Sequence, residues 1–472
     1  MISRDELLAG LPPERPIGPQ DVRQAREEQA RPLVVLDDDP TGTQSVAELP
    51  VLNSWTADDL EWALGTGAAA VYVMTNSRSL DPVAAARCNV EVVSAAIEAA
   101  RRLGIEVDVV SRGDSTLRGH FPLEPDTIRA TMAEHGIVID GVVVVPAFGD
   151  AGRITVNSVH YAGSDASGYV PVGETEFARD ATFGYASSDL RDWVAEKTGG
   201  RIPSDQVAAI TLAELRSASD DAVETLVGLS DGRPVVVDIV DEADLRALAL
   251  AVLQAQERGK RFVFRVGPPF VRAMIGQPVL EPLTAADVAA IRPAESANGG
   301  LIVVGSHVGL TTRQLDALRA RRAPAEFEID VATVLTDGRD AHLAEIVDAV
   351  SDALTRGNAV IRTSRTLVKG ADGDDSLRIA RVVSDAVVQV VRTVLDRTPP
   401  RFVIAKGGIT SSDVAARGLE IGRAIVRGPM LPGIVSLWEP IMGPAQGIPY
   451  IVFAGNVGDD QSLADVADKL SD

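Results

Sequence analysis

Short apolar runs recur along this chain, and each ends in a cluster of polar or small residues. Leu33-Val34-Val35-Leu36 stops at Asp37, Asp38 and Asp39, and Val71-Tyr72-Val73-Met74 stops at Thr75-Asn76-Ser77-Arg78. Ile105 to Val110 leads into SRGDSTLRGHFP, and Ile139 to Val145 into PAFGDAGR. Runs this short, bounded by turn residues, predict buried strands of a parallel sheet. The intervening stretches predict helices. Ser79 or Asp81 caps one of them, Pro82 sits in its first turn, and Gly104 ends it after Arg101 and Arg102. A second helix leads to Gly136. Strand, helix and strand in repetition imply right-handed crossovers and one parallel sheet.

Pro234 to Val240 and Phe262 to Val266 continue the pattern, and a Pro- and Ala-rich stretch at 278–298 interrupts it. It then restarts with Gly300 to Gly305, runs near 325–330 and 358–363, Phe402 to Ala405, and Tyr450 to Ala454. The expected fold class is α/β, with two domains, each a mostly parallel sheet flanked by helices. Residues 1–31 read as a polar N-terminal extension, 32–285 as the first domain and 296–472 as the second. Within the first, 155–200 is richer in aromatics and turns and reads as an insertion or lid.

Composition narrows the choice. A length of 472 residues suits two or three domains at ~150 residues each. The net charge of −22 disfavours nucleic-acid backbones and anionic membrane surfaces, so neither is an expected partner. No apolar run approaches the ~18 residues of a membrane span. The N-terminus has no signal-peptide core. The single cysteine, Cys88, suits a reducing, cytoplasmic setting and reads as a small buried residue in a helix.

Open α/β sheets bind ligands at the carboxyl ends of their strands. That edge gathers the loops 37–44, 75–78, 111–120 and 146–153, and with them Asp37, Asp38, Asp39, Thr41, Arg112, Asp114, Ser115, Thr116, Arg118 and Arg153. Arginine forks match a carboxylate bidentately, and a neighbouring aspartate can activate a hydroxyl. The second half places glycine turns at its strand ends: Gly305-Ser306, KGGITSSDVA from Lys406, and GNVGDD from Gly455. Such turns offer backbone N–H groups and a positive helix end to phosphate.

Other motifs fail. There is no P-loop, no GxGxxG and no HExxH or paired-cysteine pattern. The GxSxG at 228–232 follows a helix and precedes a strand, the reverse of a nucleophile elbow. The five histidines, 120, 135, 160, 307 and 342, are not spaced as metal ligands, so the metal ligands stay unknown. One competing reading is a haloacid-dehalogenase-like phosphotransferase. The chain from Val34 to Thr41 fits an apolar run followed by DxDxT, with Asp37 as nucleophile and VMTNSR as a second motif. The first lysine, however, is Lys197, and a Gly-Asp-Asp at 458–460 lies in the other half. A non-catalytic sensor of sugar acid or nucleotide is a third reading.

Across nearly everything from Pro32 onwards, the chain resembles the four-carbon acid sugar kinase family. The resemblance rests on DDPTG (38–42), DSTLRG (114–119), PAFGDAGR (146–153), GGITS (407–411) and GNVG (455–458), in family order. It implies an N-terminal sugar-acid domain, a C-terminal ATP domain and an active site in the cleft between them. ATP and Mg²⁺ are then expected, with a sugar acid such as threonate, erythronate or 3-oxo-tetronate converted to its 4-phosphate. Asp38, Asp39 and Asp114 are the implied catalytic positions, and Thr41, Arg112, Ser115, Arg118 and Arg153 the substrate-binding ones. Ser306, Gly408, Ile409, Thr410, Ser411, Gly455 and Asn456 are the implied ATP contacts. The chain departs from the family at Arg112, often lysine, at His120, often asparagine, at the third aspartate Asp37, and in the long 155–200 segment. A homo-oligomer is left open.

Overall fold

The computed structural model describes residues 1–27, 31–217, 219–291, 297–364 and 373–471, the side chains of 373–377 apart. Residues 28–30 of the N-terminal extension and 292–296 of the boundary stretch therefore lie outside the described residues. The chain divides into two units: Met1–Leu49 with Trp55–Val279, and Pro50–Ser54 with Leu280–Asp472.

In the first unit seven parallel strands run in the order Ala70–Met74, Leu33–Asp37, Asp108–Arg112, Phe262–Val266, Gly141–Val145, Arg233–Val237 and Ala208–Ile210. The first five are buried along their whole length. Continuous apolar sequence is what burial on both faces demands. Helix Pro82–Leu103 covers part of the sheet and follows its punctuation: Asp81 accepts the Val83 and Ala84 N–H groups, and Gly104 closes it in the left-handed region at φ 69°. Cys88 is buried in this helix as a free thiol.

Beyond Arg153 the chain builds a small antiparallel sheet from Arg153–Val156, Val159–Ser164 and Gly168–Pro171. Its first turn, Asn157-Ser158, takes two positive φ angles, 50° and 65°, as a tight hairpin requires. The buried Asp238 carboxylate accepts both of their N–H groups, at 2.8 and 2.7 Å. Further on, helix Leu190–Lys197 sets Trp193 against Phe121, with ring centroids 4.4 Å apart. At the N-terminus, Leu7, Leu8 and Leu11 pack on a cluster of Ile154, Val156, Tyr169, Leu212 and Val240.

In the second unit five strands are parallel, in the order Ala325–Ile329, Ala359–Thr363, Leu301–Val304, Val403–Lys406 and Tyr450–Phe453. Two antiparallel strands, Ile434–Pro440 and Arg423–Leu431, extend it. Both units thus hold mostly parallel sheets flanked by helices, as the run pattern predicts. Among the described residues no helix is long and apolar enough to cross a membrane.

Candidate active site

The parallel register sets Asp37 beside Met74 on one side and Arg112 on the other. Strand Asp108–Arg112 runs past the end of its apolar run, taking in Ser111 and Arg112, which the pattern assigns to the following loop. The charge of Arg112 can enter the sheet because Asp38 lies 3.4 Å from its Nη1 and Asp37, opposite it, accepts its Nε–H. Asp37 is 0% exposed; one carboxylate oxygen takes the Arg112 Nε–H and the other is buried without a hydrogen-bond partner. Burial pushes its carboxyl up to about 8, against the pull of Arg112 and with the repulsion of Asp38 and Asp39. Gly42 lets the turn close over this pair, since a Cβ there would run into the Asp37 carboxylate.

Asp38 is 2% exposed and receives two hydrogen bonds from Arg78, at 2.6 and 3.1 Å, while Arg112 Nη1 lies 3.4 Å away. Asp39 caps the short 3-10 turn Pro40–Ser45, accepting the Thr41 N–H at 3.0 Å and the Thr41 hydroxyl at 2.6 Å. Its side chain keeps 24% of its surface, with Arg78 Nη1 at 3.7 Å. Burial raises the Asp39 carboxyl, but Arg78 and Arg112 outweigh it and leave it below the usual range. Three carboxylates therefore share two guanidiniums.

The Gly113–His120 loop continues the rim. Asp114 accepts the Arg118 Nε–H at 2.7 Å and the Thr116 hydroxyl, and its side chain is 13% exposed. Burial raises this carboxyl, yet Arg78 and Arg118 bring it well below the usual range. Ser115 offers its carbonyl oxygen to His160 Nε2 at 2.8 Å. That histidine is fully buried, its other nitrogen 2.9 Å from the Thr155 hydroxyl, and burial pulls it down to about 4. His120 is buried too, spent on the carbonyls of Ser77 and Leu80, both at 3.0 Å. Neither histidine is free for ligation.

Arg78 is the residue that sequence reading missed as a site member. The clue was arithmetic: three adjacent carboxylates at a buried strand end need cations, and TNSR ends the neighbouring strand. Arg265 and Glu124 were missed as well. They form a buried pair at 2.6 Å, which also reaches Ser111 Oγ, and a Cβ on Gly113 would collide with the Arg265 guanidinium. An arginine inside the apolar run FVFRV is the signal that pointed to such a pair.

In the second unit the three glycine turns pack on one another. A Cβ on Gly305 would strike the Thr410 hydroxyl, and one on Gly455 the Ser306 hydroxyl. Thr311 donates its hydroxyl either way between Ser306 Oγ and the Gly455 carbonyl, at 3.0 and 2.9 Å. These glycines serve close approach of loops as much as approach of a ligand. Gly407 takes φ 128°, and helix Gly408–Asp413 starts beside it. The first N–H groups of that helix have no partner within it. Helix Gly309–Arg322 begins at the same edge, after Ser306. Ile409 and Asn456 are exposed, and Thr410 is half-buried. Ser411 is buried, its hydroxyl given to Ala405 at 2.7 Å and its N–H to Gly407 at 2.8 Å, so it positions the helix.

Lys406 lies at the centre of these loops. It is fully buried, donates from Nζ to the Ala454 carbonyl at 2.7 Å and sits 3.7 Å from the centroid of the Phe453 ring. Burial brings its ammonium down to about 7.

Residues 33–274 match the profile of a sugar-binding N-terminal domain, and residues 301–463 that of a nucleotide-binding C-terminal domain. The chain belongs to the four-carbon acid sugar kinase family. Family relatives include a D-threonate kinase of Bordetella bronchiseptica, 27% identical over 446 residues, covering 92% of this chain and 96% of that one. A D-erythronate kinase of Heliobacterium modesticaldum is 24% identical over 465 residues, covering 93% and 97%. A 3-oxo-isoapionate kinase of Paraburkholderia graminis is 27% identical over 328 residues, covering 63% and 64%. A crystal structure from Salmonella typhimurium shares the fold, with a TM-score of 0.65 at 18% identity over 92% of this chain and 98% of that one.

The haloacid-dehalogenase-like alternative needs Asp37 as a nucleophile. A carboxylate with no exposed surface, one oxygen on Arg112 and Gly42 packed against it, has no route to a phosphoryl group. Among the described residues no three His, Cys, Asp or Glu side chains are grouped to hold a metal ion.

Proposed function

We propose that this kinase transfers the γ-phosphoryl group of ATP to the terminal hydroxyl of a four-carbon sugar acid, giving its 4-phosphate. The observation that carries the proposal is one rim at the carboxyl ends of the first unit's strands. It joins two partly exposed carboxylates, Asp39 and Asp114, to Arg78, Arg118 and Arg153. The names of the curated relatives support the substrate class, and the matched nucleotide-binding profile supports ATP.

On this reading Arg118 and Arg153 hold the substrate carboxylate, helped by Thr41 and the Ser115 loop. Asp39 or Asp114 accepts the hydrogen bond of the attacking hydroxyl and receives its proton. Asp38 and Arg112, both buried and committed to ion pairs, set the position of Asp39. Both candidate acceptors lie below the usual carboxylate range, so each is a weak base. Phosphoryl transfer tolerates that, since it asks mainly for positioning and charge stabilisation. The N–H groups at Gly408, Ile409 and Thr410, with Ser306, Gly455 and Asn456, receive the ATP phosphates. Mg²⁺ on those phosphates would neutralise charge developing during transfer.

The test is ADP formation from Mg²⁺-ATP against a panel of D-threonate, D-erythronate and 3-oxo four-carbon acids. Phosphorylated acids are run in parallel without ATP. Acid-dependent ADP release, with phosphate mapped to the terminal oxygen, is the expected outcome. ADP release that no acid stimulates would overturn the proposal.

A further inference from the structure

The segment after the small antiparallel sheet lies directly on the acid-binding loop. Tyr185 donates its hydroxyl to the Thr116 carbonyl at 2.7 Å, and Asp180 faces Arg118 at 3.8 Å. Phe183 meets His120 edge-on, with ring centroids 5.1 Å apart. The same segment carries Phe177. The Arg118 guanidinium carbon lies 5.4 Å from the Phe177 ring centroid, and that of Arg153 lies 5.6 Å from the same centroid.

Two like charges arriving from separate loops repel each other, and a shared aromatic ring is one of the few neutral groups that attracts both. Their remaining contacts differ. Arg118 is held by Asp114 and faces Asp180. Arg153 gives one N–H to the Ala151 carbonyl, and its Nε is buried with no hydrogen-bond partner. With Arg153 so lightly committed, the ring is the main thing fixing where its guanidinium sits relative to Arg118. A pair of forks at fixed spacing is what bidentate recognition of a single carboxylate needs.

We infer that Phe177 is a positioning residue of the acid site, an inference that rests on the proposed function. Its ring sets the spacing of Arg118 and Arg153 around the substrate carboxylate. Phe177 reaches no reacting atom in this arrangement. Its removal therefore weakens ground-state and transition-state binding together, which raises KM and leaves kcat nearly alone.

The experiment uses the full chain and the variants Phe177→Leu, Phe177→Ala and Phe177→Tyr. Binding of D-threonate and D-erythronate is measured by calorimetry without nucleotide, and kcat and KM are measured with the same acids. Thermal melting confirms that each variant folds. Phe177→Ala is expected to weaken four-carbon acid binding by about tenfold, a typical size for losing such contacts, with kcat within about twofold. Phe177→Leu should fall between, and Phe177→Tyr should restore binding. Folded variants with wild-type affinity, or with the loss in kcat rather than KM, would overturn the inference. Wild-type protein that binds no acid at all would overturn the proposed function instead, so the two failures are distinct.

Discussion

The two candidate binding edges are made of opposite materials. The first unit's rim is crowded with charge: three aspartates share Arg78 and Arg112, and a fourth shares Arg118 with Asp180. The second unit's edge is made by leaving side chains out, with Gly305, Gly407 and Gly455 letting three turns nest around a single buried lysine. A charged rim can be retuned by exchanging one side chain, while a nested backbone tolerates almost no addition. Substrate variation within the family is therefore expected on the first edge, and constancy on the second.

The strongest way to break this comparison is to neutralise the partly exposed carboxylates. Of Asp39→Asn and Asp114→Asn, the one that removes the proton acceptor is expected to lower kcat by on the order of 10²-fold, as lost acid–base help does, with ATP affinity unchanged. Wild-type turnover in both would remove the carboxylates from the chemistry. Next in size is Gly455→Val. Its side chain has to displace Ser306, so overpacking of ~1–3 kcal/mol should raise the KM for ATP about tenfold and spare acid binding. An equal loss for both ligands would show that the damage is to folding.

The two edges should also answer pH in opposite senses. Asp37 is raised above its unfolded value, so the folded state holds an extra proton between about pH 4 and 8 and loses stability as pH climbs through that window. Lys406 is lowered, so the folded state holds fewer protons between about pH 7 and 10 and gains relative stability as pH climbs there. Asp37→Asn should flatten the first slope and Lys406→Met the second, in denaturation midpoints measured from pH 5 to 10. Within its window each slope is on the order of 1.4 kcal/mol per pH unit at most. Unchanged profiles in both variants would show that neither buried group titrates differently on folding.

Much of this was legible in the sequence because it is local. Apolar runs ending in polar clusters located nearly every parallel strand but none of the antiparallel ones, and Asp81, Pro82 and Gly104 placed one helix almost to the residue. The family motifs fell at strand ends because that is where parallel sheets present loops. What was illegible depended on partners distant in the chain. Arg78 gains its meaning only when Asp38 lies beside it, and Glu124 only when Arg265 does. Phe177 lay within a segment noted for aromatics, but nothing local showed that two arginines would share it. The extension of strand Asp108–Arg112 past its apolar run likewise depended on which side chain its register would bring opposite Arg112.

Residues 50–54 belong with the second unit although some 225 residues of the first unit follow them. Asn53 bonds to Gly422 and Ile421, and the bond to Ile421 bridges 368 positions. On a ribosome adding roughly 5–20 residues per second, that short piece emerges early and waits about 20 to 70 s for its neighbours. The second unit therefore cannot be finished as an independent C-terminal product. A gene fragment beginning after residue 280 would encode a sheet missing its earliest-made segment, and supplying residues 50–54 as a separate peptide is the natural way to complete it.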